Sequence, residues 1–348
     1  MSKTIFNIIC SSTIGGGMED IYLEYSKIIN KKISKNNSKL VCIFPENFCH
    51  LGLIKNENIS CESLNIKGHF DIFAALKLWK IYKKYSPNLI ICHSGRVFAT
   101  INLCKKFFNI KSKIIAVNHG GNPKRILNFD GIITVAKHIE KRIIDAGFSG
   151  KILTIYNGIK IKEDEPKNKN IIFNFGLLSR LSSEKNFPLA IKNFAKFNRQ
   201  IDNNSRLIIA GEGPEKENLL NLIKQEKIEN NVEFIGWIND LEKFFDKVDV
   251  FIHPALYEPF GLVILQSMNH FTPVIAANNC GPAEIINHKI DGFLFDINDE
   301  NSLFENMKFC YHNQDKLPKI AIIAKNTLKK RFSKEIMANN LVKFIENI

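Results

Sequence analysis

Residues 248–295 constrain the fold of this chain more than any other part of its sequence. They read as an apolar strand (250–253), a loop, a helix over 262–269 and a second strand (273–277). Two short apolar strands joined by a helix predict a β-α-β unit with parallel strands. The loop after the first strand contains Glu258 and Gly261, and it opens at the carboxyl edge of the sheet, where open α/β folds bind ligands.

The same alternation of apolar strands and amphipathic helices continues on both sides of this segment. Residues 171–175, for example, predict a strand that is followed by a loop beginning at Gly176. The polar, charged stretch 160–170 contains proline and predicts a linker. With 348 residues the chain can form two domains, each with its own core.

Composition favours a globular protein in a reducing compartment. The chain is 45% apolar and 24% charged, and it has no apolar run of eighteen residues that could span a membrane. The first apolar strand is too short for a signal peptide. The eight cysteines are scattered singly, without a C-x-x-C pair or a Cys/His cluster. We therefore expect a cytoplasmic protein without a zinc site.

The positive charge of the chain is concentrated in its first half. Residues 1–163 contain 25 Lys/Arg against 11 Asp/Glu, whereas the remainder contains 23 against 24. One interpretation is a surface attracted to an anionic membrane or a phosphorylated acceptor. The other is a lysine-rich bias on solvated helix faces. The asymmetry favours the first interpretation, because a general bias would affect both halves alike.

A glycine-rich turn joins the first predicted strand to the first predicted helix. Gly16 and Gly17 belong to this turn, and residues without Cβ allow backbone amides to approach a phosphate. A tight turn that needs positive φ explains the same residues equally well. The spacing also differs from the dinucleotide-binding pattern.

Arg180 and Lys185 lie in the loop predicted after the strand at 171–175. A forked guanidinium and a compact ammonium five residues apart suit a diphosphate. Taken alone, the two residues are explained more simply as surface cations, one of them paired with Glu184.

These motifs together resemble a known family. The string Gly-x-x-Ser-Arg-Leu-x-x-Glu-Lys-Asn around Arg180 and Lys185, and Glu-Pro-Phe-Gly from Glu258, resemble blocks of the retaining glycosyltransferases of the family-4 group. The resemblance covers nearly the whole chain and is strongest over 171–295. It implies a GT-B fold, in which two Rossmann-like β/α/β domains face each other across a cleft. The implied domains are 1–160 on the acceptor side, 161–332 on the nucleotide-sugar side, and a helix in 333–348 that crosses back to the first domain.

The resemblance also assigns the donor site. Arg180 and Lys185 would hold the nucleotide diphosphate, and Glu258 would meet the sugar hydroxyls. Gln266 stands where the family's E-x7-E signature has its second acid, which binds ribose. An amide in place of a carboxylate replaces a charge-assisted hydrogen bond by a neutral one, at a cost on the order of 1 kcal/mol. The other residues that the resemblance places beside the donor are Gly16, Gly17, Gly213, Trp237, Phe260, Gly261 and Leu262.

Two histidines follow apolar strands of the first half. The family keeps a histidine near the transferred sugar in a loop that matches His119, so we assign His119 to the catalytic residues together with Glu258, Arg180 and Lys185. His93 ends another strand but has no such support, and a structural role is preferred for it.

The function implied is retaining glycosyl transfer. A hexose or N-acetylhexosamine would move from a nucleotide-diphosphate sugar, with UDP favoured over GDP, to a saccharide or lipid-linked acceptor of cell-surface polysaccharide or lipopolysaccharide. The nucleotide-sugar is a substrate, and we expect neither a cofactor nor a metal. A location on the inner face of the membrane would suit such an acceptor. No nucleic-acid recognition motif is present. A nucleotide-sugar epimerase and a non-catalytic saccharide- or partner-binding relative remain the alternatives.

Overall fold

The chain forms two compact units, each of them an α/β fold with one parallel sheet. Unit 1 comprises Met1–Asn157 and Glu335–Ile348, and unit 2 comprises Gly158–Lys334. The computed structural model describes residues 3–11, 16–33, 38–163, 166 and 170–348. Part of the predicted glycine-rich turn (12–15) and part of the predicted linker (164–165 and 167–169) lie outside the described residues.

Unit 1 is built on a sheet of largely aliphatic strands. These are β1 (Thr4–Ile8), β2 (Lys39–Phe44), β3 (Ser60–Ser63), β4 (Leu89–His93), β5 (Lys113–Asn118), β6 (Gly131–Thr134) and β7 (Lys151–Thr154). They pair in parallel in the order β3-β2-β1-β4-β5-β6-β7. Central strands of such a sheet are buried on both faces, which explains their near-continuous apolar sequences. The strand order reverses between β1 and β4, and doubly wound sheets bind ligands at the carboxyl ends beside such a point.

Helices connect the strands of unit 1. They are α1 (Gly17–Ile33), α2 (Leu51–Asn56), α3 (Ile72–Tyr85), α4 (Gly95–Phe107) and α5 (Lys137–Asp145). The side chain of Asp71 caps α3 by accepting a hydrogen bond from the Ala74 amide at 2.9 Å, which satisfies one of the unpaired N–H groups of the first turn.

Unit 2 repeats the architecture with six strands. They are β8 (Asn174–Leu178), β9 (Arg206–Ala210), β10 (Val232–Gly236), β11 (Val250–His253), β12 (Val274–Ala277) and β13 (Phe293–Phe295). Their order is β10-β9-β8-β11-β12-β13, again with parallel pairing. The helices are α6 (Phe187–Gln200), α7 (Lys216–Glu226), α8 (Leu241–Phe245), α9 (Leu262–Asn269), α10 (Cys280–Ile285), α11 (Ser302–His312) and α12 (Leu317–Arg331).

The core of unit 2 is rich in phenylalanine. The ring of Phe175, on β8, is fully buried and meets the rings of Phe194 and Phe197 edge-on, at centroid distances of 6.2 and 5.1 Å. These contacts pack α6 on the sheet, so the loop between β8 and α6 is fixed at both ends.

The last helix, α13 (Lys334–Glu346), belongs almost entirely to unit 1. Glu346 forms an ion pair with Lys32 of α1 at 2.9 Å. A Cβ atom on Gly131 of β6 would lie within 3.3 Å of the Phe344 ring. The helix therefore packs against residues that are far from it in sequence.

The predicted bounds of the strand at 171–175 are wrong. The structure places β8 at Asn174–Leu178, and Ile171 is fully exposed. The predicted loop beginning at Gly176 is also wrong. Gly176 lies inside β8. A Cβ atom at this position would come within 2.7 Å of the Val248 side chain, so only glycine fits there. The glycine serves close packing and does not break the strand.

Candidate functional site

Three loops at the carboxyl edge of the unit 2 sheet are joined by main-chain hydrogen bonds. The loop after β8 is tied to the loop after β9, because Leu181 N donates to Glu212 O at 3.0 Å and Glu215 N donates to Leu181 O at 3.1 Å. The loop after β11 joins them where Leu256 N donates to Glu184 O at 2.9 Å. The backbone itself thus positions the side chains that these loops carry.

Two glycines permit close backbone approaches at this edge, one between the loops after β8 and β9 and one between the loop after β11 and the start of α10. A Cβ atom on Gly213 would lie 2.2 Å from the carbonyl oxygen of Leu181, and one on Gly281 would lie 2.2 Å from that of Phe260. Neither distance is tolerable for a real side chain. Gly213, which the resemblance assigned to the donor site, therefore packs its backbone directly against the loop that carries Arg180.

Arg180 and Lys185 both lie in the loop after β8, but their surroundings differ. Arg180 is exposed, and its guanidinium has no hydrogen-bond partner among the residues that the structure describes. The Lys185 ammonium donates to Glu258 Oε2 at 2.8 Å, and both side chains are largely buried. Glu184, the carboxylate proposed as a surface partner, instead accepts a hydrogen bond from Ser182 at 2.6 Å.

Glu258 carries the strongest electrostatic perturbation of this edge. Burial alone would raise its pKa, but the adjacent His253 and the Lys185 ammonium outweigh burial and lower the pKa to about 2. His253 Nε2 lies 3.3 Å from Glu258 Oε2, although the contact lacks the geometry of a good hydrogen bond. At neutral pH Glu258 is therefore an anion that can accept hydrogen bonds but cannot donate one.

Helix α9 begins directly after Glu258. Gly261 stands at its N-cap with φ of 108°, a left-handed conformation that glycine adopts without strain. The amide of Leu262 belongs to the first turn, whose N–H groups have no acceptor within the helix. Gln266 lies one turn further on, is partly buried, and its side chain has no hydrogen-bond partner among the described residues. The Phe260 side chain is buried against Phe332, so only its backbone could contact a ligand.

Trp237 follows β10 at the same edge. Its ring is 45% exposed, and its indole Nε1 donates to Asn239 Oδ1 at 3.1 Å. Gly236, directly before it, accepts a hydrogen bond from Gly211 N at 2.7 Å and has φ of 68°. The structure therefore brings Trp237 next to the loop that contains Gly213.

In unit 1, His119 follows β5 and contacts His93 at the end of β4. The nitrogen atoms His93 Nδ1 and His119 Nε2 are 3.2 Å apart, and the rings stack at a centroid distance of 5.5 Å. Arg142 fixes the loop by donating to the carbonyl oxygens of Gly120 and Gly121 at 2.7 and 2.8 Å. Burial lowers the pKa of His119 to about 4 and that of His93 well below its usual value, so both rings are neutral at pH 7.

Gly16 and Gly17 lie at the start of α1. The carbonyl oxygen of Gly16 accepts hydrogen bonds from the amides of Glu19 and Asp20. These two acids occupy the first helical turn and already complement its positive dipole. The phosphate contact assigned to the two glycines stays a prediction.

Sequence reasoning missed two residues of these sites. His253 ends the apolar strand β11 and contacts Glu258, and Asn7 in β1 contacts His93. A polar residue at or near the end of an otherwise apolar parallel strand was the available signal. Within the part of the chain that the structure describes, no group of three or more His, Cys, Asp or Glu could hold a metal ion, and no helix is long and apolar enough to cross a membrane.

Comparison with known proteins gives a family match in unit 2. Residues 157–327 match the family model "Glycosyl transferases group 1". An uncharacterized glycosyltransferase of Haemophilus influenzae is 30% identical over 266 residues, which cover 72% of this chain and 73% of that protein. The O-antigen biosynthesis glycosyltransferase WclY of Escherichia coli is 29% identical over 228 residues, covering 56% of this chain and 63% of WclY. The chain spans only 45% to 63% of the length of the first curated relatives it matches.

A solved structure matches the whole chain in fold. The Anabaena protein Alr3699/HepE, crystallised with UDP and glucose, has a TM-score of 0.84 at 19% identity, covering 100% of both chains. Together with the two parallel sheets, this likeness confirms the predicted GT-B class with two Rossmann-like domains.

The depressed pKa of Glu258 predicts an acid-dependent loss of stability. A carboxylate whose folded-state pKa is lowered stabilises the fold above its unfolded value of about 4.5, and this contribution is lost as pH falls toward about 2. A shift of this size is worth on the order of 3 kcal/mol. Chemical denaturation should show Glu258→Gln less stable than the parent protein at pH 6, with the difference shrinking steadily below pH about 4.5.

The matched control is Glu229→Gln, at an exposed position of the same unit. It should change the free energy of unfolding by less than about 0.5 kcal/mol. A Glu258→Gln difference that stays constant down to pH about 3 would mean that the ion pair does not hold Glu258 ionised.

Proposed function

Because this chain belongs to the group 1 glycosyltransferases, we propose that it transfers a sugar from a nucleotide-diphosphate sugar to a saccharide or lipid-linked acceptor, with retention of the anomeric configuration. The observation that carries the proposal is the arrangement of Arg180, Lys185 and Glu258 at one sheet edge. Two cations suit a diphosphate, and a buried anion beside them suits sugar hydroxyls.

The diphosphate would lie against Arg180 and Lys185. The exposed guanidinium of Arg180 can bind two phosphate oxygens at once. The Lys185 ammonium has three N–H donors and uses one of them on Glu258, so it can hold a phosphate oxygen without releasing the carboxylate. Negative charge that develops on the leaving diphosphate would be stabilised by both cations.

Glu258 would act as a fixed anion in this reaction. With a pKa of about 2 it is too weak a base to take a proton efficiently near pH 7. Its carboxylate can accept hydrogen bonds from sugar hydroxyls and stabilise positive charge that develops at the anomeric carbon. The leaving diphosphate would then accept the proton of the acceptor hydroxyl, which is compatible with retention.

The relatives support a proposal for the donor and for the biological setting. UDP, found in the HepE crystal, is the first nucleotide to test, with a hexose or N-acetylhexosamine as the sugar. The O-antigen role of WclY supports a function in cell-surface polysaccharide or lipopolysaccharide biosynthesis. We propose that no metal or other cofactor takes part.

Nucleotide titration tests the donor site. Calorimetry with UDP, GDP and ADP should show micromolar binding of one nucleotide. Arg180→Ala should weaken that binding about 10- to 150-fold, because it removes hydrogen bonds to a charged group. Gln266→Glu should strengthen it about fivefold, because the ribose hydroxyls would then meet a carboxylate.

Arg206→Ala is the matched control for this titration. Arg206 is an exposed arginine at the opposite, amino edge of the same sheet, so its loss should leave nucleotide affinity unchanged. Absence of binding by all three nucleotides would contradict the transferase proposal and favour a non-catalytic relative.

We further propose that unit 1 contacts an anionic membrane surface that carries the acceptor. Phe70 and Phe73 are 87% and 85% exposed, and Ile72 between them is 60% exposed. Lys67 and Lys77 line the same surface hollow as Phe73. Exposed apolar side chains beside cations match the requirements of an interfacial membrane contact.

The position of this surface also suits a lipid-linked acceptor. It follows β3, so it lies at the carboxyl edge of the unit 1 sheet. Arg96 holds the connection between β3 and α3 at that edge. Its guanidinium donates to Ile66 O in this connection at 3.1 Å and to Cys10 O, just beyond β1, at 3.2 Å. His119 follows β5 at the same edge.

Liposome flotation tests the membrane contact. The protein should float with vesicles that contain phosphatidylglycerol at low ionic strength and less so with phosphatidylcholine alone. The double variant Phe70→Ser with Phe73→Ser should lose most of the binding because the apolar contribution disappears. Phe107→Ser, which alters an aromatic ring that is 60% exposed at the far end of α4, is the control. No flotation of the parent protein at low salt would remove this proposal.

A further inference from the structure

A series of hydrogen-bonded polar side chains connects His119 to the interior of the unit 1 sheet. Asn7, His93 and His119 come from β1, β4 and the loop after β5, which are neighbours in the sheet. Asn7 Oδ1 lies 3.0 Å from His93 Nε2, and His93 Nδ1 lies 3.2 Å from His119 Nε2. Asn7 and His93 are completely buried, so each of their polar atoms needs a partner within the protein.

The contacts of Asn7 determine the direction of both hydrogen bonds that link Asn7, His93 and His119. Asn7 Nδ2 lies 3.0 Å from Ser26 Oγ and 3.4 Å from the carbonyl oxygen of Tyr22. Ser26 uses its own hydroxyl proton on the same carbonyl at 2.9 Å, so its oxygen must accept from Asn7. A flipped amide would place an oxygen against these two acceptors. The Asn7 oxygen therefore faces His93 and accepts a hydrogen bond from its Nε2–H group.

The same reasoning fixes both histidine tautomers. Because His93 donates from Nε2, its neutral ring has no proton on Nδ1, which must accept. His119 then donates from Nε2, and its own Nδ1 is left as an acceptor. His119 is only partly buried, and its Nδ1 has no hydrogen-bond partner among the described residues.

The surroundings of His93 keep the pair uncharged. The rings of Tyr22 and Tyr25 from α1 pack edge-on against it at centroid distances of 5.5 and 5.6 Å, and burial holds the pKa of both phenols above their usual value. His93 also contacts the Asn7 amide and the neutral His119 ring. No carboxylate contacts either imidazole among the described residues, so nothing there favours the imidazolium form.

We propose that His93 is a positioning residue that holds His119 with Nδ1 open as a hydrogen-bond acceptor for a substrate hydroxyl group. The proposal rests on the glycosyl transfer proposed above and specifies the polarity of its unit 1 site. Sugar hydroxyls can donate to Nδ1, whereas a group that only accepts, such as a phosphate oxygen, cannot bind there. The chain from Asn7 through His93 thus selects for hydroxyl donors at this position.

The tautomers can be read directly by nitrogen-15 NMR of the histidine-labelled full chain at neutral pH. His119 should show a protonated Nε2 and an unprotonated Nδ1, and His93 should show the same pattern. A proton on His119 Nδ1, or a charged ring, would overturn the proposal. This measurement needs neither substrate nor activity, so it stands even if the proposed reaction is wrong.

Two variants then test the role of His93. His93→Leu removes the hydrogen-bond acceptor for His119 and should lower kcat/KM for sugar transfer about tenfold, while the affinity for the nucleotide alone, measured separately, stays unchanged. His93→Asn places an amide oxygen near the former Nδ1 position and should recover most of the loss. His312→Leu, at an exposed histidine of α11, is the control and should match the parent protein.

The outcomes separate positioning from general support of the fold. Loss of nucleotide binding together with activity in His93→Leu, without recovery in His93→Asn, would indicate a structural role only and would contradict the proposal. Parent-like kinetics in His93→Leu would contradict it as well.

Discussion

The contact between Lys185 and Glu258 is the interaction on which the unit 2 site depends. It joins the loop after β8 to the loop after β11 with a 2.8 Å charge-assisted hydrogen bond, and most of both side chains is buried. Removing one partner of a pair at this depth is destabilising because the other charge is left buried, although the pair as a whole adds little stability relative to apolar residues of similar volume. Its value lies in placing an anion and a cation side by side with N–H and oxygen positions left for a ligand. The main-chain hydrogen bonds between the loops hold that geometry.

The two units present chemically opposite surfaces for the proposed reaction. Unit 2 offers Arg180, Lys185 and an ionised Glu258, which suit a charged donor. Unit 1 offers a neutral histidine whose tautomer is set by buried neighbours, which suits a hydroxyl group. In each unit a buried histidine contacts the residue proposed to meet the substrate: His253 contacts Glu258, and His93 contacts His119. These contacts orient the two side chains and influence their protonation.

Much of the fold could be predicted because its periodicity is strong. Helix α9 and strand β11 begin and end at the predicted residues, since an apolar strand and a helix after Gly261 have clear boundaries. The bounds of β8 could not be predicted, because a glycine such as Gly176 is typical of a loop and its packing against Val248 is visible only in the structure. Strand β3 was missed because its sequence is short and polar, as edge strands often are.

The candidate site shows the same division. The motif around Glu258 indicated its place in the chain, but the approach of Lys185 to it spans 73 residues and arises only from the sheet order β8-β11. His93 looked structural by sequence, and its burial agrees with that interpretation. Its hydrogen bond to His119 gives it a further role that no local pattern contains, because parallel strands bring the two residues together.

The most direct test of the account is a crystal structure of the protein with UDP. We expect the diphosphate to lie at the carboxyl edge of the unit 2 sheet, with phosphate oxygens in hydrogen-bond contact with the Lys185 ammonium and the Arg180 guanidinium. Lys185 should also keep its contact with Glu258. A nucleotide bound elsewhere on the chain, or a diphosphate that touches neither cation, would contradict the central claim.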